Sequence, residues 1–177
     1  MNFVDNGSQK ALAEMVFTGE IVLQSKIAEL AAKRLSVSKD NLDQIEVWSS
    51  IQSILVAAGN VSKILWPQKA YEARGERLRE LLKVDDSNIL SDRKFRNHFE
   101  HYDERIEDWF KKQSSAVYSD LAVDPFKSIW GNVPTNQHRA YGPLTHTLTF
   151  RGESFDLAAV LKELKEIRIK CSDFVLT

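Results

Sequence analysis

The densest group of chemically capable side chains in this 177-residue chain lies between Asp92 and Lys112, DRKFRNHFEHYDERIEDWFKK. Its centre reads Arg96-Asn97-His98-Phe99-Glu100-His101, with Tyr102 and Arg105 just beyond. An imidazole titrates near neutral pH and can act as a general acid or a general base. A guanidinium stays charged and grips a phosphate or carboxylate through a planar fork. The bland alternative is a solvated helix face. Arg96–Glu100 at i,i+4 and His101–Glu104 at i,i+3 would then be ordinary surface ion pairs. His98 reads on its own as a partner for a nearby carboxylate.

Composition bounds what such a site can serve. The formal net charge is −1, so a nucleic-acid partner must be held by a local patch and not by bulk charge. There is no P-loop, no glycine-rich dinucleotide turn and no metal-ligand spacing, so neither cofactor nor metal is expected. The single cysteine, Cys171, lies in an apolar-periodic stretch and reads as a buried, inert thiol. No secretory signal pattern opens the chain, and no run approaches the ~18 apolar residues of a membrane span. The expectation is a cytoplasmic protein with no membrane partner. His138 and His146 are given no role. Trp48, Trp66, Trp109 and Trp130 read as core residues.

The elements that must position the run are mostly helical. Gln9 to Leu35 is helical, with Gly19 either ending one helix or sitting inside a longer one. Val37 to Asp40 reads as a connection in which Ser38 or Asp40 caps the next helix. That helix, Leu42 to Leu65, has the strongest stripe, Val47, Ile51, Ile54, Ala58, Val61 and Leu65, widened by Trp48, Leu55 and Ile64. A helix apolar over so much of its girth packs on more than one side, so it is placed centrally. Trp66-Pro67 ends it.

A third helix spans Gln68 to Val84, with Tyr71, Gly75, Leu78 and Leu82 in line and Arg74, Arg77 and Arg79 on solvated sides. Gly75 suggests a close approach of backbone from a neighbouring helix. The charged run comes next as one helix, capped by Ser91 or Asp92, with a core stripe of Phe95, Phe99, Tyr102, Ile106 and Trp109. Residues 114–155 form an irregular insertion, punctuated by Pro125, Gly131, Pro134, Gly142 and Pro143 and anchored by Tyr118, Phe126, Trp130 and Tyr141. It carries a short β-hairpin over Thr145 to Phe155 that turns at Arg151-Gly152-Glu153. A last helix starts near Asp156, its inner face Leu157, Val160, Leu161, Leu164, Ile167 and Phe174. The expected fold is an all-α antiparallel bundle of about five helices in one domain, residues 1–177.

On a helical wheel Arg96 and His101 are separated by roughly 140°, so one helix alone does not aim them at a common atom. An arginine, a polar residue and a histidine four to six residues on, late in a helical bundle, resemble the signature of the HEPN superfamily. The resemblance covers Arg96 to His101, with Asn97 in the polar position. It implies a small helical domain that dimerises, so that Arg and His from two protomers meet across a cleft. It further implies one of two activities. The first is a metal-independent endoribonuclease of a toxin or defence system, with RNA as substrate and an antitoxin as a possible protein partner. The second is a non-catalytic nucleotide- or protein-binding module.

By that resemblance His101 is the acid/base and Arg96 the phosphate clamp. Asn97, His98, Glu100, Tyr102 and Arg105 are its supporting residues. In one toxin subgroup a tyrosine two residues after the histidine is modified. Asp103 holds that position here, so that regulation is not carried over.

Overall fold

The computed structural model describes residues 6–41, 43–92, 94–112, 118–123 and 137–174, apart from the side chains of residues 6, 39–41, 95 and 96. Pro125, Phe126, Trp130, Gly131 and Pro134 of the expected insertion lie outside the described residues.

The central element is α2, Gln44–Leu65. Its whole expected stripe is buried, Val47, Ile51, Ile54, Val61 and Leu65 completely, and Trp48, Leu55 and Ile64 bury a second side. The two sides serve different partners. The C-terminal half (Ala57, Ala58, Val61, Ile64, Leu65) packs with Ile21 and Ala28 of α1 (Asn6–Asn41), Leu78 and Leu82 of α3 (Glu72–Leu82), and Val160, Leu164 and Ile167 of the last helix, α6 (Leu157–Lys170). The N-terminal half (Val47, Trp48, Ile51, Ile54, Leu55) packs with Ala31 and Leu35 of α1, and with Tyr141, Leu148 and Phe150 of a sheet. Each large aliphatic chain fully removed from water contributes about 1.5–3 kcal/mol. One helix therefore ties two cores together.

α1 differs from expectation. It is one helix of 36 residues that runs through Gly19 and through Val37–Asp40 without a break. Ser38 does not cap. Its hydroxyl donates to the Arg34 carbonyl at 2.8 Å, a bond made from inside a helix. Asp43 takes the capping role and accepts from the Glu46 N–H at 3.1 Å.

A 3₁₀ turn, Lys69–Tyr71, precedes α3. Tyr71, expected in the core line, is exposed. Gly75 is buried, and a Cβ there would press on the Pro67 ring and lie 2.7 Å from the Leu65 carbonyl oxygen. The close approach is therefore to the end of α2 and its proline. The α3 arginines are half-buried and not simply a solvated face. Arg77 pairs with Glu14 of α1 at 2.8 Å, and Arg74 lies over the Phe17 ring at 4.6 Å. Arg79 bonds the Leu65 carbonyl and pairs with Asp86 at 2.6 Å. They fasten α3 to its neighbours.

The expected single helix over the charged run is two: α4, Lys94–Glu100, and α5, Tyr102–Lys112, meeting at His101. The insertion holds more than a hairpin. Strands β1 (Ala122–Val123), β2 (Arg139–Gly142), β3 (Thr147–Phe150) and β4 (Glu153–Asp156) form a sheet in that order. β1 runs parallel to β2, and the other neighbours are antiparallel, so the sheet is mixed.

The expected hairpin is its β3–β4 half. Leu148 and Phe150 are buried while Thr147 and Thr149 are half-buried, and Arg151 and Gly152 turn the chain with φ of 49° and 86°. Among the described residues the protein is thus six helices carrying a four-stranded sheet, not all-α. β2 escaped the sequence because Gln137 through Tyr141 are all buried, which removes the polar/apolar alternation that marks a strand. β4 leads directly into α6, capped by Asp156, which accepts from the Ala159 N–H at 2.9 Å.

Candidate functional site

The charged run starts where the Asp92 carboxylate accepts the Lys94 N–H at 2.8 Å. Helical pairing continues across the α4–α5 junction. The His101 N–H donates to the Asn97 carbonyl at 3.1 Å, and the Arg105 N–H to the His101 carbonyl at 3.2 Å. Arg96 lies in α4, but its side chain is outside the described residues, so its place opposite His101 is known only from the helix that carries it. Five residues of near-helical chain still separate the two by roughly 140°.

His101 is 51% exposed, and its Nδ1 lies 3.4 Å from the Glu104 carboxylate. A carboxylate on one ring nitrogen fixes the ring and leaves the other to exchange a proton. His98 is placed otherwise. Its side chain is only 12% exposed, its ring stacks on Phe150 at 4.5 Å and 10°, and its Nε2 lies 3.3 Å from Glu153. Lys94 reaches the same Glu153 oxygen at 2.8 Å, and these two partners, Lys94 first, hold the Glu153 carboxyl below its usual range. His98 is therefore a strut between α4 and β4.

The remaining expected residues divide in the same way. Asn97 is half-buried and offers its carbonyl to His101. Glu100 pairs with Lys63 of α2 at 3.0 Å. Arg105 is half-buried and accepts, through its carbonyl, from Arg151 at 3.2 Å. Tyr102 is 46% exposed, which corrects its place in the core stripe; the Arg139 guanidinium lies over its ring at 5.5 Å. Trp109, from the same stripe, is buried as expected, while Phe99 and Ile106 are half-buried. Beside the run, a cleft of about 220 Å³ opens between α2 and α4, lined by Gln52, Leu55, Val56, Asn60, Lys63, Phe99 and Glu100.

A second polar group was not anticipated. Arg139 of β2 makes a two-point bond to Asp120, 2.9 Å and 2.6 Å, with side chains 10% and 16% exposed. Burial pushes the Asp120 carboxyl up, but the Arg139 bonds and charge outweigh it, and the net shift is down. The Tyr118 hydroxyl donates to Asp120 at 3.3 Å, and burial pushes that phenol up to about 12.

Next to this pair, His138 is fully buried, and neither of its ring nitrogens finds a hydrogen-bond partner among the described residues. Its ring meets Phe150 edge-on at 4.8 Å. Burial is the main cause holding it neutral, down to about 4 from an ordinary 6.5, and Arg151, Arg139 and His98 add to the shift against Asp120. Nothing local in the sequence joins Asp120 to Arg139, because parallel pairing of distant strands creates the contact.

Cys171 is buried, and burial pushes its thiol up to about 12, as an inert thiol requires. Among the described residues no group of three or more metal-ligating side chains could hold an ion, and no helix is long and apolar enough to cross a membrane. No protein-family model, curated protein or solved structure shows a significant match to this chain.

Proposed function

We propose that this chain is a HEPN-like helical protein that acts as a dimer and cleaves RNA without a metal ion, in a toxin or defence setting. The observation that carries the reading is His101: an exposed histidine at the α4–α5 junction, with Glu104 on Nδ1 and its Nε2 not engaged by that carboxylate. In the reaction a base takes the proton of the RNA 2′-hydroxyl, whose oxygen attacks the neighbouring phosphorus. The bond from phosphorus to the 5′-oxygen breaks, and an acid protonates that leaving oxygen. A 2′,3′-cyclic phosphate remains. His101 supplies one of these proton transfers through Nε2. Arg96 neutralises the phosphorane from the second protomer, since the two residues diverge on one helix.

His98 does not take part in the chemistry, because its ring is committed to Phe150 and Glu153. The run's carboxylates are partly neutralised, Glu100 by Lys63 and Glu107 by Lys111, which lessens repulsion of a polyanion.

The test is cleavage of a mixed RNA substrate by the purified chain in EDTA, beside His101→Ala. We expect EDTA to leave cleavage unchanged and the variant to lose at least ~100-fold, the usual contribution of a proton-transfer residue. Equal activity of the two proteins removes the reading.

One observation favours a second reading, a non-catalytic binding module. The open cleft lies between α2 and α4, against Glu100 and Phe99. It is suited to a small ligand or a partner's side chain. That reading stands if RNA is untouched and Val56→Trp, which fills the cleft, abolishes capture of a partner that wild type retains.

A further inference from the structure

The last helix carries Leu161, Leu164, Lys165 and Arg168 at i, i+3, i+4 and i+7, so apolar and basic side chains share one strip of α6. That strip meets α1. Leu164 is buried in the same core as Ala28, while Leu161 and Ala32 stay half-buried. Together with Ser25 these four apolar residues line a cleft of about 390 Å³ between the two helices. Ser25 adds no free donor to it, because its hydroxyl donates to the Ile21 carbonyl at 2.8 Å.

The rim is charged, and the charges are unequal. Lys162, Lys165 and Arg168 stand on the α6 side and Glu29 on the α1 side. Glu29 is already held. Arg168 first and Lys33 second keep its carboxyl down, to about 2. Lys162 meets Glu166 at a loose 3.8 Å, with its side chain 78% exposed. Lys165 pairs with no carboxylate among the described residues. The cleft thus offers apolar groups within and ammonium donors at its edge, and the carboxylate that lines it is taken.

We infer that this cleft binds the free anion of a medium-length acyl chain. The alkyl part lies along Ala28, Ala32, Leu161 and Leu164, and the carboxylate sits between Lys162 and Lys165. Two features choose this occupant. The uncommitted groups of the rim are donors, which suits a head that only accepts. A peptide backbone brings donors as well and finds no uncommitted acceptor among the lining side chains. The size also fits. At ~30 Å³ for each group the size of a water, the cleft has room for about ten methylenes and a head. The site goes beyond the ribonuclease reading and shares no residue with the charged run.

Calorimetric titration of the full chain with decanoate, kept below its micelle concentration, tests the inference. A single decanoate should bind per chain. Butyrate, with the same head and a much shorter chain, should bind at least ~100-fold more weakly, because less apolar surface leaves water. Decanol should bind at least ~10-fold more weakly for want of the charge. Lys165→Glu should weaken decanoate binding at least ~10-fold and, at an exposed site, leave the melting temperature unchanged. Ala32→Phe, which fills the cleft from α1, should abolish binding while the circular-dichroism spectrum stays that of wild type. Wild type that ignores decanoate, or binds butyrate equally well, would overturn the inference. So would decanoate binding that survives both variants, which places the chain elsewhere. The same holds if anionic phospholipid vesicles or an acidic amphipathic peptide bind while free decanoate does not. RNA cleavage enters none of these measurements, so the two proposals stand or fall separately.

Discussion

On α4 and α5, His101 stands half exposed with Glu104 loosely beside it at 3.4 Å. In the sheet, Arg139 and Asp120 lock at 2.9 Å and 2.6 Å with almost no exposure, and His138 sits behind them with none. Both places assemble a histidine, an arginine-bearing strand or helix, and a carboxylate. Burial separates them. An exposed pair competes with water at every moment and is worth about 0–1 kcal/mol. A buried pair has already given up its hydration, so breaking it leaves a charge with nothing in return. The sheet cluster is therefore structural, while the helix cluster is free to do something other than hold the fold.

The sharpest way to break this contrast is to remove one partner from each. Asp120→Ala leaves Arg139 buried and unpaired and should cost about 3–5 kcal/mol in urea unfolding at pH 7. It should also loosen β1, since the Asp120 carboxylate holds the Leu121 N–H at 2.8 Å. The Leu121 carbonyl in turn accepts from Trp48 and Gln44, both at 2.7 Å. Replacing both partners together, Asp120→Leu with Arg139→Met, should recover most of that loss, because no stranded charge remains. An Asp120→Ala midpoint matching wild type would erase the distinction.

His138 gives the next largest effect, and it appears only with pH. The folded protein keeps this imidazole neutral down to about 4, whereas the unfolded chain takes up its proton near 6.5. Between those values the unfolded state binds more protons, so stability is complete above about pH 6.5 and is lost as pH falls toward 4. The loss reaches on the order of 3 kcal/mol. His138→Phe keeps the ring against Phe150 and removes the titration. Denaturation series at pH 7, 5.5 and 4.5 should show a slope in wild type that is largely absent in this variant. Parallel slopes would mean that other groups carry the acid sensitivity.

The two regions were also unequally visible in the sequence. α2 was legible residue by residue, because a 3.6-residue period with both sides apolar permits little except a central helix. The β3–β4 half of the sheet was legible too, from alternation around Arg151-Gly152. β1 and β2 were not, since β1 is two residues long and β2 is buried on both faces. The Asp120–Arg139 pair spans 19 residues and depends on that unseen pairing.

Of the candidate site, the identity and exposure of His101 and its i,i+3 carboxylate could be read directly. For His98 a carboxylate partner was legible, but not which one, because Phe150 and Glu153 come from strands more than fifty residues away. One boundary was misread: Val37–Asp40 reads as a connection in which Ser38 or Asp40 caps the next helix, and α1 instead stays helical to Asn41.

The smallest effect on stability belongs to the place where the largest effect on chemistry is expected. His101→Ala and Glu104→Gln touch a surface pair, and each should change the unfolding free energy by less than about 0.5 kcal/mol. If Glu104 holds the ring for proton transfer, Glu104→Gln should still lower RNA cleavage by about tenfold, less than His101→Ala does, with the change in kcat and not in KM. The amide keeps the size of the side chain and loses its charge, so a packing role would leave turnover unaltered. Substitutions silent in the melt and costly in turnover would place function at the exposed histidine. If both variants were silent in melt and in turnover alike, His101 and Glu104 would be the solvated helix face that the spacing alone also permits.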